Sequence, residues 1–355
     1  MKKFYSLACA IFVAALFALV ACGDTSKNNT TKENKLSVVT TIYPEFSWTK
    51  SILGNRADSV KLELLMKNGV DLHSYKPTAH DVAKIASADM VIYVGGESDE
   101  WIKDALAASP KKGRIEINLM DVLGDRVKAE EIVEGMQAEE EHEHNKVIAR
   151  AEQRRSKPAE VTHKDEHEHH HHDEEVENDE HVWLSLKNAE IMVKKIAEEL
   201  SKLDAAHATI YKQNTDAYVA QIQALDAEYR ETVEKAARKT VLFGDRFPFR
   251  YLVDDYSIKY YAAFVGCSAE SEASFETIAF LAGKMDAESL PVIFTIENSN
   301  GKIAKAVLAA SKKSQNAQIL ILNSMQSVTE KQIAEGIDYL SLMKSNLDVL
   351  KKTLN

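Results

Sequence analysis

The histidines are the residues best able to do chemistry, and they are unevenly placed. Eight of the twelve, His142, His144, His163, His167, His169, His170, His171 and His172, crowd into one acidic stretch. Neutral imidazoles ligate Zn, Cu and Ni, and interspersed carboxylates add oxygen donors. The stretch is therefore expected to capture several ions at low affinity. His167–His171 also spells H-E-x-x-H, which makes a zinc protease only on an amphipathic helix with a core-facing side. Its neighbours are uniformly polar, so no protease is read from it.

Two other histidines stand in different company. His73 lies in Gly69-Val70-Asp71-Leu72-His73-Ser74-Tyr75-Lys76-Pro77-Thr78, where Gly69 and Pro77 shape a turn. His181 lies in Glu180-His181-Val182-Trp183-Leu184, at the opening of a helix. Asp245, Glu297 and Asn323 each follow a short apolar run, and Glu270 and Glu272 are further acids in the second half. Two histidines and a carboxylate are suitable ligands for zinc.

The surrounding pattern says which elements carry these residues. Short β-branched runs alternate with helical stretches, which indicates parallel sheets covered on both faces. The first set of strands is Leu36–Tyr43, Ser59–Met66, Asp89–Val94 and Ile115–Leu119. The second is Thr240–Gly244, Ile258–Phe264, Pro291–Ile296 and Gln318–Leu322, followed by a helix over Thr329–Leu354. The fold class is α/β, with two similar lobes, each a four-stranded parallel sheet flanked by helices. A long helical pattern without Pro or Gly, 205–238, joins them as one strut. The lobes are expected over 36–204 and 239–355, with a disordered acidic insertion at about 136–178 in the first. In parallel α/β sheets ligands bind beyond the carboxyl ends of the strands. His73, His181, Asp245, Glu297 and Asn323 can thus converge on a cleft between the lobes.

Composition narrows the classes. Apolar content of 45% and charged content of 28% are those of a globular chain. The net charge of −11 argues against nucleic acid as a partner. Most of that charge is local, since Glu139–Glu180 holds 15 acidic against 6 basic side chains. Lys2 and Lys3 precede an apolar run from Phe4 to Ala21, the pattern of a secretory signal over 1–21. It ends in Leu19-Val20-Ala21-Cys22, the pattern of a bacterial lipoprotein. Cys22 is expected to be lipidated, with 22–35 as a polar tether to the extracytoplasmic face of the membrane. Cys9 leaves with the signal, Cys267 has no partner, and no disulfide is expected.

The chain resembles ZnuA/TroA-like solute-binding proteins of zinc and manganese ABC importers. Leu72-His73-Ser74-Tyr75-Lys76-Pro77-Thr78 looks like their first metal-ligand motif, and Glu180-His181-Val182-Trp183-Leu184 like their second, D-x-H-x-W-L/x-D. Tyr339–Leu347 resembles their C-terminal helix, so the likeness runs roughly from Leu36 to Leu354. It implies two four-stranded lobes on a rigid helix. The family has a His or Glu a few residues before an aromatic F-x-Y. Aligning Phe249 and Tyr251 with that pattern puts Arg246 at the ligand position, and arginine cannot coordinate a cation. Asp245 is then the inferred third ligand, with Arg246 paired to a nearby carboxylate, Asp245 itself when metal is absent. The family's fourth ligand, commonly an Asp after the last strand, has no counterpart in Leu322-Asn323-Ser324-Met325, which leaves Glu297, Asn323 or a water.

The function implied is capture of Zn²⁺ by a monomeric, non-enzymatic lipoprotein that delivers it to an ABC permease and its cytoplasmic ATPase. Zinc is favoured over Mn²⁺ because manganese prefers oxygen donors. The alternatives are a manganese importer component, a zinc hydrolase with Glu297 as base, and a surface adhesin.

Overall fold

The computed structural model describes residues 35–137, 177–268 and 272–355. The signal segment, Cys22, Glu270 and all eight histidines of the acidic stretch lie outside the described residues.

The first lobe runs β1 (Ser37–Thr40), α1 (Tyr43–Leu53), β2 (Lys61–Leu64), α2 (Ala79–Ser87), β3 (Met90–Tyr93), α3 (Trp101–Ala108), β4 (Ile115–Asn118) and α4 (Leu119–Leu123). Helix α5 (Leu186–Leu203) and the long α6 (Ala208–Lys235) follow. The second lobe comprises β5 (Thr240–Phe247), α7 (Arg250–Tyr256), β6 (Lys259–Val265), α8 (Phe275–Glu288), β7 (Val292–Thr295), α9 (Lys302–Ala310) and β8 (Gln318–Ile321). Helices α10 (Glu330–Ala334) and α11 (Tyr339–Leu354) close the chain. Among the described residues no helix is long and apolar enough to cross a membrane.

The two sheets share one topology. Their orders are β2-β1-β3-β4 and β6-β5-β7-β8, and every pairing is parallel. Strand order reverses between β1 and β3, and again between β5 and β7. A reversal opens a crevice at the carboxyl edge, where the connecting loops diverge. Central strands β1, β3 and β7 are buried along their whole length, as helices on both faces require.

All eight expected strands are present, mostly shortened at their ends. The long helical pattern begins with a 3₁₀ turn, Ala205–His207, and stays helical to Lys235. It packs on α1, α5 and α11, and Tyr229 at its inner face donates to the Met343 carbonyl at 2.6 Å. The expected Thr329–Leu354 helix is two helices. Gly336 takes φ 89°, a left-handed conformation that ends the first, and the Asp338 side chain caps the second by accepting from Ser341 N–H. Trp48, Trp183, Tyr211 and Tyr339 are fully buried in the main core. Each such side chain contributes roughly 1.5–3 kcal/mol by leaving water.

Candidate metal centre

His73 sits in a 3₁₀ turn, Leu72–Ser74, beyond the carboxyl end of β2. Asp71 caps that turn, its Oδ1 accepting the His73 N–H at 2.9 Å. The imidazole Nδ1 lies 2.7 Å from Ser98 Oγ, and Ser98 N–H donates to Glu180 Oε1 at 2.8 Å. Gly96 makes room for that carboxylate, since a Cβ there would meet Glu180 Oε1 at 2.2 Å.

His181 is held more rigidly still. It is fully buried, and Asp179 Oδ1 lies 2.8 Å from its backbone nitrogen and 2.9 Å from its Nδ1. The short segment around it is clamped from the other lobe. Tyr251 donates to the Asp179 carbonyl at 2.8 Å, Tyr339 donates to the Trp183 carbonyl at 2.7 Å, and Trp183 Nε1–H donates to the Ser324 carbonyl at 2.8 Å.

With both Nδ1 atoms engaged, the Nε2 atoms face each other at 3.2 Å. Two nitrogens on one tetrahedral zinc at roughly 2.0–2.1 Å stand about 3.4 Å apart. The pair is thus spaced for a shared cation. Burial and the neighbouring His181 hold the His73 imidazole down to about 3. At His181 burial acts in the same direction, but the charge and hydrogen bond of Asp179, with Glu180 and Asp71, outweigh it and raise the pKa. The two shifts run in opposite directions, so His181 takes up a proton before His73 does.

A third donor stands beside them. Among the described residues, His73, His181 and Cys267 form a group whose ligating atoms all lie within 4.8 Å of one another. Cys267 is a free thiol in the turn after β6. Its pKa is pushed well above the usual thiol value by burial and by the charges of Glu130, Asp179 and Glu180. No histidine motif surrounds this cysteine, so sequence did not single it out as a ligand. Its available signal was placement, just after an apolar strand run.

The other anticipated donors are placed differently. Asp245 lines a cavity of about 400 Å³ with Asp71, His73 and Arg246, but does not join the three-donor group. Its Oδ1 accepts the Arg246 N–H at 2.9 Å and its Oδ2 is buried without a hydrogen-bond partner. Glu297 lines the same cavity, yet both its oxygens are engaged, accepting from Ser324 N–H and Oγ–H and from Gln326 N–H. Asn323 Oδ1 accepts from Met325 N–H, and its backbone is paired with the Asn346 side chain. Arg246 does pair with a carboxylate, but it is Asp71 of the first lobe, at 2.7 Å, rather than Asp245. The β5–β6 register shifts between Phe243 and Arg246, just before this arginine.

The family ZnuA, described as zinc-uptake complex component A, periplasmic, matches residues 38–353. The chain belongs to this family. The high-affinity zinc uptake system protein ZnuA of Bacillus subtilis (strain 168) is 30% identical over 345 residues, which span 96% of this chain and 96% of that protein. The zinc-binding lipoprotein AdcA of Streptococcus pneumoniae serotype 4 is 30% identical over 354 residues, 99% of this chain but 61% of the longer relative. The crystal structure of the Zn(II)-bound ZnuA-like domain of Streptococcus pneumoniae AdcA superposes with a TM-score of 0.64 at 27% identity, covering 90% of this chain and 99% of that one. The fold expected from sequence is thus the fold of this ZnuA member.

Proposed function

We propose that this ZnuA-family protein captures Zn²⁺ outside the cytoplasm in the cleft between its lobes and delivers it to an ABC permease. The observation that carries the reading is the His73–His181 pair, with Nε2 atoms 3.2 Å apart and each Nδ1 tied to an orienting partner. Such ties fix ring direction and leave the opposite nitrogen for a metal. Family membership and the zinc-binding names of the relatives point the same way. Asp245, which lines the same cavity as His73, is an oxygen donor beside the pair. Lipidation at Cys22 would hold the monomer at the membrane, and the acidic histidine tract would capture further zinc at low affinity. Chelator-competition titration of the purified protein tests the binding step. Growth of a deletion strain on limiting zinc tests uptake. Tight zinc binding with a growth defect reversed by added zinc supports the proposal; failure to bind zinc overturns it.

A further inference from the structure

The family pattern leaves the second lobe of this chain without a classical ligand, because Arg246 occupies that place. We propose that Cys267 Sγ is the second lobe's ligand, so that the ion is held by two imidazoles and a thiolate and manganese is rejected. This deepens the zinc reading above and rests on it.

Four observations support the assignment. Among the described residues, the ligating atoms of Cys267, His73 and His181 all fall within 4.8 Å of one another. Next, the two lobes repeat one topology, in which β6 takes the place of β2. His73 lies in the loop after β2 and Cys267 in the turn after β6, so the two donors come from the loops that follow equivalent edge strands.

The turn is also shaped for this approach. A Cβ at Gly266 would come within 2.9 Å of His181 Cε1 and 3.0 Å of its Nδ1. Only the missing side chain lets the Cys267 turn close on the imidazole. Finally, the turn is fixed at both ends. Cys267 N–H donates to Glu130 Oε1 at 3.1 Å, and the Ser268 carbonyl accepts from Arg246 Nη1 at 3.4 Å. The same guanidinium holds Asp71, the cap of the His73 turn, through Nη2 at 2.7 Å. Arg246 therefore serves as a positioning residue that ties the two donor-bearing turns together.

The chemistry balances simply. The Cys267 S–H bond breaks and an S–Zn bond forms, and the thiol proton passes to solvent together with the proton that zinc expels from His181. Thiolate suits Zn²⁺, whereas Mn²⁺ is served by carboxylate, carbonyl and water. A sulfur donor thus supplies the discrimination that two histidines and an acid would provide poorly.

Cobalt(II) reports the ligand directly. Wild-type protein loaded with Co²⁺ should show an intense near-ultraviolet sulfur-to-metal charge-transfer band, and zinc should displace it. Cys267→Ser should lose the band. Its zinc affinity should fall beyond the roughly 10–100-fold that loss of a merely orienting partner costs. Its preference for Zn²⁺ over Mn²⁺ in direct competition should narrow. The wild-type band does not depend on any variant folding, so it tests the assignment even if Cys267→Ser misfolds. Tight zinc binding by wild type without the band would overturn the thiolate assignment and leave the zinc reading standing. No zinc binding by wild type would overturn both.

Discussion

Arg246 and Asp71 form an ion pair across the cleft, Nη2 to Oδ2 at 2.7 Å, and the other oxygen of Asp71 caps the turn that carries His73. Burial works against the Asp71 charge, but Arg246 and His73 outweigh it and hold the carboxyl below its ordinary value. A residue that cannot bind metal thus helps to place one that can.

Arg246→Ala should weaken zinc binding by roughly 10–100-fold, the usual cost of removing a group that orients a ligand. Arg246→Lys should recover only part, because an ammonium cannot span Asp71 and the Ser268 carbonyl as a guanidinium fork does. Chelator competition measures both, and unchanged affinity in Arg246→Ala would dismiss the pair as incidental.

The two histidines should separate binding from stability. His73 is near the cavity surface, so His73→Ala should lose zinc affinity by orders of magnitude with little change in the apo melting temperature. His181 is fully buried and bonded to Asp179. His181→Ala should lose zinc binding and also cost roughly 1–3 kcal/mol of apo stability. Equal melting temperatures for the two variants would count against this division.

Zinc affinity should fall as pH drops. Zinc must expel the proton that Asp179 helps to retain on His181, whose pKa is raised above 6.5 despite burial. The bound state lacks that proton, so acid favours the free protein. The decline should begin above the ordinary imidazole value of about 6.5. Titrations from about pH 8 to pH 5.5 that show constant affinity would refute imidazole ligation.

Asp99 gives a separate pH signature, in stability. It accepts from the Val94 and Gly95 N–H groups at 2.8 and 2.9 Å, and burial pushes it up to about 7 from 3.8. A carboxyl raised on folding contributes stability below its unfolded pKa, and that contribution is lost as pH rises through the folded value. The stability of wild type relative to Asp99→Asn should therefore decline between about pH 4 and pH 7. Urea unfolding of both proteins across that window measures the gap; a constant gap is the contrary result.

Asp245→Asn should lower zinc affinity less than His73→Ala does. The carboxylate lines the cavity, but it stands outside the three-donor group. Chelator competition on the two variants compares them, and a loss as large as that of His73→Ala would make Asp245 a full ligand.

Much of the fold was legible because periodicity and breakers are local properties. Eight apolar runs marked eight strands, and a stretch free of Pro and Gly marked α6. The one long C-terminal helix expected from the pattern became two for an equally local reason: Gly336 adopts a left-handed conformation and Asp338 caps a new helix.

For the candidate site, the sequence singled out the two histidines that the structure brings together. His73 and His181 stand in motifs whose neighbours, Asp71 and Asp179, cap and orient them within two residues. What lies opposite them only the tertiary structure decided. Cys267 is 86 residues beyond His181, and Arg246 is 175 residues from Asp71. Nothing along the chain links either pair. They meet because two sheets of the same topology are packed with the loops after β2 and β6 together, and because Gly266 leaves room beside His181. Spacing in sequence encodes contacts within one turn or strand, whereas contacts between lobes are set by packing.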